Sequence, residues 1–560
     1  MKLTRYSLVI LMVAVLAGCQ DLSVENPNNP DRALALATPG DVENLVGGTF
    51  LDYWSATQWC AGSMMFATIA DEHSCSWANW AMRDMSSEPR IAWNNDPSYS
   101  REEATEDPWF NAYVGISNSI DGLLAIADAE ATGGENNIYV QEGVDTERLR
   151  AFAKFTMGLS HSRLAMQFDQ AFIVDETVDL EAVALGVEEL PLSDYNTVAA
   201  AAIGFLDEAI AIAQANDFTI TAAEDWIFGL DITNQDLIKL ANSYAARILA
   251  QTPRTPEERA AVDWNEVMRR IDNGITEDFA PIGNDDGDDE WDCMKFYGQT
   301  GTTWARADYR SIGPADENVC DPNDDTINCF EEWVNTPLQD RLVFDIKTSD
   351  RRIVGSDDDL TISGKYFEYQ GNNGPFPASR GTYHFSTHNP SMHQAYNTND
   401  GNGPMVVMNM AEMDMLMAEA LLRTGGSTQT VADLLNVTRI ANGELAPATA
   451  DNAVGTPDDS QSHRPDATLW AMLKHEKRME TFHTASGLAF FDDRGWGDLV
   501  DNTPFHFPVP GAELETLALQ TYTFGGGGAA SASSNGSAWK AGERERRGVS
   551  GKAQRLTKPI

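Results

Sequence analysis

A chain of 560 residues that carries 85 acidic and 39 basic side chains has a formal charge of −46 at pH 7. Such a surface repels polyanions, which excludes nucleic acid as the partner and marks a well-solvated body. With 42% apolar residues the chain can bury a substantial core, as one large domain or about two to three ordinary ones.

The first element is the apolar run LVILMVAVLAG, preceded by Lys2 and Arg5. At about a dozen residues it has the length of a secretion h-region and is too short to span a bilayer as a helix. Leu16-Ala17-Gly18-Cys19 then sets small residues before a cysteine, the pattern of a lipoprotein signal peptide whose cysteine is acylated and becomes the mature N-terminus. A secreted protein with a chance cysteine is the competing reading. The expected layout is a signal peptide over 1–18, acylated Cys19 with a polar tether over 19–37, and a folded body over 38–524. An anchor puts the chain outside the cytosol, where disulfides persist. Cys60 with Cys75, and Cys320 with Cys329, would each close a short segment and leave Cys293 over. The sequence leaves this connectivity open.

The body opens at Thr38-Pro39-Gly40-Asp41, a turn leading into a helix. In TERLRAFAKFTMGLSHSRLAMQF, residues Leu149, Phe152, Phe155, Leu159 and Met166 recur at helical steps. Ser193 or Asp194 caps a further helix whose inner face is Ile203, Phe205, Leu206, Ile210 and Ala213. QDLIKLANSYAARILAQ then aligns Leu237, Leu240, Tyr244 and Ile248. Thr255 and Pro256, followed by two acids, open a helix that Gly274 closes. From about residue 276 to 404 the composition turns to Gly, Asn, Asp, Pro and aromatics with little periodicity, an irregular insertion of the kind that carries functional surface. Helices resume in MVVMNMAEMDMLMAEALLRTGG and TQTVADLLNVTRIANG, ended by Gly425 and Gly443 and joined closely enough to be antiparallel neighbours. The predicted fold is mostly α, with tetratricopeptide-like helix pairs that lack that repeat's signature residues and a long, irregular, loop-rich insertion.

The densest polar-aromatic stretch is ADEHSCSWANWAMRDMSSEPRIAWNNDPSY, where Trp77, Trp80, Trp93 and Tyr99 sit among Asn79, Arg83, Asn94 and Asn95. Flat rings stack on sugar C–H faces while amides and a guanidinium bond the hydroxyls, so this is the composition of a carbohydrate site. Burial of each ring in a core is the alternative. Trp291, Tyr297, Trp304, Tyr309, Tyr366, Tyr369 and Tyr383 form a looser set in the insertion, and a cleft would join the two. The candidate ligand residues are Trp77, Asn79, Trp80, Arg83, Trp93, Asn95, Trp304 and Tyr309.

For catalysis the best carboxylates are Glu476 and Glu480, with Asp492 and Asp493 after them, a set that could serve glycoside hydrolysis. The two glutamates are four apart on one helix among His475, Lys477 and Arg478, where intrahelical ion pairs explain them more simply. No nucleophile elbow, zinc-protease or phosphate-loop motif occurs, and the expectation is a protein that is not an enzyme. DPNDDTINCFEE sets Asp321, Asn323, Asp325 and Glu332 at calcium-loop positions, with Thr326 where the turn needs glycine. A plain acidic loop closed by Cys320 and Cys329 competes with that reading, and apart from this calcium no cofactor is expected. Cys60, His73 and Cys75 lack the second close pair of a zinc site.

These segments together resemble the SusD/RagB-like outer-membrane nutrient-binding lipoproteins. The resemblance rests on Leu16-Ala17-Gly18-Cys19 with DLSVENPNNP, on ATPGDVENLVGGTF, ADEHSCSW, ERLRAFAKFTMGLSHSRLAMQFDQAF, AEMDMLMAEALLRTGG with LLNVTRIANG, and KHEKRMETFHTASGLAFFDDRGWG with FPVPGAE, so it runs from residue 16 to about 513. It implies four tetratricopeptide-like helix pairs supporting an irregular, loop-rich ligand-binding half, and attachment to outer-membrane lipid through Cys19, on the cell surface. It also implies a TonB-dependent transporter, over whose mouth the protein sits as a lid that captures oligosaccharide without breaking bonds. For site residues it implies only a location, Trp77 and Trp80 after the ADE segment together with aromatics of the insertion. After FPVP the chain departs from the pattern. Its Gly/Ser-rich and then basic tail, 525–560, reads as disorder or as a frame shift in the gene. A lipid-anchored glycosidase and a helical-repeat scaffold for a protein partner are the other readings; sugar-stacking rings speak against a scaffold.

Overall fold

The computed structural model describes residues 36, 38–75, 77–131, 143–284, 290–299, 305–320, 328–341, 345–371, 386–457 and 465–527. The expectations for the signal peptide, Cys19, the tail beyond 527, Trp304, Tyr383, Asp321, Asn323 and Asp325 lie outside those residues.

Thr38 opens the body by accepting the Asp41 amide on its side chain, and Pro39 fits the first turn, where its missing N–H has no helical partner to lose. Helices α1 (Pro39–Gly47), α2 (Thr49–Thr57) and α3 (Cys60–Ile69) follow almost without linkers and pack on α4 (Glu103–Ala131). The sequence reading does not anticipate α4, which carries Pro108 in its second turn. A proline there removes one backbone bond, while Ala104, Ala112, Ile116, Ile120 and Leu123 still give the helix one buried face.

Next come α5 (Gly143–Gln167), α6 (Tyr195–Ala215), capped by the Asp194 carboxylate, and α7 (Asn234–Gln251), opened by a reciprocal Thr233–Asp236 capping box. The helix expected from Pro256 to Gly274 is in fact two. Pro256–Ala260 is a single turn, and α8 (Trp264–Asp272) restarts where the Asp263 side chain accepts the amides of Asn265 and Glu266. Later, α9 (Met410–Thr424) ends on Gly425 at φ 71°, a left-handed cap that lets residues 425–427 turn the chain back. It is followed by α10 (Thr428–Ala441), α11 (Leu469–Glu480) and α12 (Leu488–Trp496).

The long helices stack in order: α4 on α5, α5 on α6, α6 on α7, α7 on α8, α8 on α9, and α9 on α10, with α11 against both α9 and α10. The result is a mostly α fold with a tetratricopeptide-like array around an extended core, and α9, α10 and α11 close a second one between them. Helix α6 is long and apolar enough to cross a membrane, but its Val198, Ala202, Leu206 and Ala213 lie in the extended core.

The segment between α8 and α9 is held differently. Strand β1 (His73–Cys75) pairs antiparallel with β2 (Ala305–Ala307), and β3 (Phe367–Tyr369) with β4 (His388–Pro390). Tyr309, Ile312, Trp333, Ile346, Ile353 and Phe367 form a small core of their own that rests on Met479 and Phe482 at the end of α11. Arg352 joins this segment to the body. It donates to Glu476 Oε2 (2.6 Å), Glu480 Oε1 (2.8 Å) and Asp350 Oδ2 (2.7 Å), and the His475 ring meets Asp350 at 2.7 Å. This corrects the reading of Glu476 and Glu480 as helix-surface ion pairs: both are buried, and their main partner comes from the insertion. Asp492 is engaged by Arg259 and Lys477, and Asp493 by Arg478.

Candidate functional site

The segment that follows β1 is pinned at its base and bare at its crest. The Trp77 amide donates to the Cys75 sulfur (3.4 Å), and the Arg83 amide closes the loop onto the Trp77 carbonyl (2.8 Å). Between them Trp80 (φ 49°) and Ala81 (φ 56°) are both left-handed, a conformation that costs a non-glycine residue about 1 kcal/mol or more and persists only where its surroundings impose it. The outcome is local display: Trp77 is 42% exposed and Trp80 half-buried, beside exposed Asn79 and Arg83. Arg83 is paired with Asp84 at 2.9 Å, and Asp84 also accepts the Tyr99 hydroxyl.

Across from this loop stand rings of the insertion. Trp291, Phe296 and Tyr297 are each half-buried. Trp80 and Tyr297 have centroids 6.3 Å apart with planes 31° from parallel; Trp291 meets Tyr297 nearly edge-on at 5.8 Å. The structure thus brings Trp80 of the first aromatic set together with Trp291 and Tyr297 of the second. A cavity of about 190 Å³ is lined by Asn44, Leu51, Glu224, Asp225, Trp226 and Glu290, and none of Trp80, Trp291 and Tyr297 lines it.

Beneath the rings the cysteines pair in one way the sequence reading does not expect. Cys60 is bonded to Cys293, at the start of the helix Cys293–Tyr297, and not to Cys75; Cys320–Cys329 forms as expected. The pairing of distant cysteines, 233 residues apart, is decided by the docking of the insertion on α3. Behind the platform Glu72 is buried, which pushes its carboxyl up to about 7 against the pull of Arg478 and the His483 amide. Burial likewise lowers His73 and His393 to about 3, so both rings are neutral near pH 7.

No family model and no curated protein matches the sequence. Solved structures do match. A SusD superfamily protein from Bacteroides vulgatus ATCC 8482 superposes with a TM-score of 0.52 at 14% identity, over 85% of this chain and 96% of its own. One from Parabacteroides distasonis ATCC 8503 gives 0.52 at 13%, over 85% and 97%. A SusD-like carbohydrate binding protein from Bacteroides fragilis NCTC 9343 gives 0.51 at 14%, over 82% and 87%. The chain has the SusD-superfamily fold.

Within this SusD-like fold three expected ligand residues are structural. Trp93 is buried, its ring 5.2 Å from Phe507 and 5.6 Å from Tyr99. Asn95 is buried too, and its Nδ2 donates to the carbonyls of Val509 (3.0 Å) and Tyr522 (3.1 Å). Tyr309 lies in the insertion's small core, where its hydroxyl donates to Asp316 (2.9 Å) and its ring packs on Trp333. Each is claimed by a partner remote in sequence or folded back from its own segment, which composition cannot reveal. Tyr366 is similarly occupied, donating to Glu480 at 2.9 Å.

Proposed function

We propose that this SusD-like protein is a non-catalytic cell-surface receptor that captures oligosaccharide and passes it to a TonB-dependent transporter in the outer membrane. The observation that carries the reading is the aromatic ledge itself: exposed Trp77 in the same loop as Trp80, whose ring lies 6.3 Å from that of Tyr297, with exposed Asn79 and Arg83 in that loop. Rings in this state offer a flat apolar face to sugar C–H groups and polar neighbours to the hydroxyls. The shared fold of a protein described as carbohydrate binding supports it. A glycosidase needs carboxyls that reach the scissile bond, and Glu476 and Glu480 are buried against Arg352. A glycan array on the purified ectodomain tests the reading: retention of a defined oligosaccharide, lost in Trp80→Ala, is expected, and an array without hits, or hits that Trp80→Ala leaves unchanged, rejects it.

Two further parts belong to the proposal. Cys19, acylated, is the lipid anchor, so Cys19→Ser should move the protein from the membrane to the soluble fraction, and retention in membranes lacking the transporter would reject the anchor. Asp321, Asn323, Asp325 and Glu332 form a calcium loop, so millimolar calcium added to chelated protein should raise its melting temperature by linkage. An unchanged melting curve returns the segment to a plain acidic loop.

A further inference from the structure

The bed under the aromatic ledge has a marked composition. Of its seven buried side chains, Cys60, Met64, Ala67, Cys75, Met82, Cys293 and Met294, six carry sulfur, and Trp80, Trp291 and Tyr297 pack against them. Methionine conforms to irregular neighbours but imposes little shape of its own, and this cluster is separate from the extended core of the helical body. The short helix above the cluster is held by Lys295, which donates to the Thr484 carbonyl, by Asn397, which donates to the Phe296 carbonyl (2.6 Å), and covalently by the Cys60–Cys293 disulfide. Cys60 begins α3, which packs on α4 and α12 and is thereby held by the body. Cys293 begins the short helix that carries Phe296 and Tyr297. Alongside the disulfide run the Cys293 amide to the Gln58 carbonyl (3.1 Å) and the Trp54 indole to the Trp291 carbonyl (2.8 Å).

We propose that the Cys60–Cys293 disulfide is a positioning brace for the ligand platform, so that capture depends on the oxidised cross-link while the helical array folds without it. The brace transfers the fixed position of α3 to the ring-bearing helix, and Trp80 takes its place by packing on the assembled bed. A platform held in its binding arrangement before ligand arrives avoids the ordering cost that a loose one would meet. The consequence for capture rests on the function proposed above; the brace itself rests on geometry.

Hydrogen exchange and calorimetry on Cys60→Ser/Cys293→Ser test both parts. The amides of Cys293, Phe296 and Gly298, bonded to Gln58, Asp292 and Met294, should lose about tenfold or more in protection, with α5 and α7 unchanged. Affinity for whichever of malto-, cello-, xylo- and mannohexaose binds the wild type most tightly should fall about tenfold. Retained protection at the three amides, or an equal loss in α5 and α7, overturns the brace; an unchanged affinity overturns its role in capture. Should none of the four bind the wild type, the fault lies with the ligand class, and the exchange pattern still upholds or overturns the brace. Cys60→Ala/Cys293→Ala repeats the measurement without placing hydroxyls in the sulfur bed, in case the serine pair fails to fold.

Discussion

The helical body and the irregular segment between α8 and α9 meet the same demand, burial of a long chain, by different means. Helices satisfy their backbone internally, so the body's side chains are free to build an extended core, and even its charges are drawn inside. Arg259 is paired with Glu419 and Asp492, and Arg247 with Glu412. Arg254 and Arg494 donate to carbonyls of Ala165, Met166, Phe168 and Gln251, at and just past the ends of α5 and α7, where a helix leaves acceptors unmade and a cation is favoured. The irregular segment divides its apolar side chains between small clusters, and both disulfides involve its cysteines. A region with too little core needs staples, and the same irregularity leaves rings at the surface for a ligand.

The seam between the two regions should give the largest effect. Arg352 comes from the insertion and answers three buried carboxylates, two of them on α11. Arg352→Met keeps most of the volume but removes the cation that Asp350, Glu476 and Glu480 share, leaving them His475, Thr438 and Tyr366 as partners, so it should cost about 3 kcal/mol of stability by chemical denaturation. A loss below about 1 kcal/mol would mean the two regions are held together by apolar contact alone.

What could be read from the sequence divides along the same line. The helical array was legible because its determinants are local: Leu237, Leu240, Tyr244 and Ile248 mark α7 by spacing, and Thr38 with Pro39 marks a helix start by chemistry. The break at Asp263 was written locally as well, as an N-cap. The irregular half is set by distant partners. Trp80 and Trp93 stand in one tryptophan-rich stretch, and only Tyr297 and Phe507, more than two hundred residues on, decide that one lines the ledge and the other fills the core. The pairing of Cys60 with Cys293 belongs to the same class.

Next in size is a pH effect of opposite sign at two buried carboxyls. Burial pushes Glu72 up to about 7 from an ordinary value of 4.5. The folded state therefore holds a proton that the unfolded chain releases, and the contribution is full below about pH 4.5 and lost as pH rises through 7, about 3 kcal/mol at most. In the body, burial opposes ionisation of Glu419, but Arg259 and Arg423 outweigh it and hold the carboxyl well below the usual range. That contribution is present above about pH 4.5 and lost on acidification through the lower folded value. Glu72→Gln should accordingly be neutral or slightly destabilising at pH 5 and stabilising at pH 8 in melting curves. Equal shifts at both values would show that Glu72 is ionised in the fold throughout.

The smallest effect in free energy is the one that bears on function. Trp80→Ala should weaken oligosaccharide binding by more than about 1 kcal/mol, several-fold in affinity, because stacking needs a whole ring. Its stability should stay near wild type, since the ring is half-buried at the rim of a small cluster. Trp77→Ala, with 42% of its residue surface exposed, should do the same with still less effect on melting. Trp80→Gly separates ring from backbone: glycine takes φ 49° without penalty, so it should bind as poorly as the alanine variant and melt no lower. Trp93→Ala is the control from the other class, expected to cost about 3–5 kcal/mol of stability and to leave the affinity of the folded fraction unchanged. If Trp80→Ala instead unfolds like Trp93→Ala while its folded fraction still binds, the ledge is part of the core, and the sugar must be sought elsewhere on the irregular half.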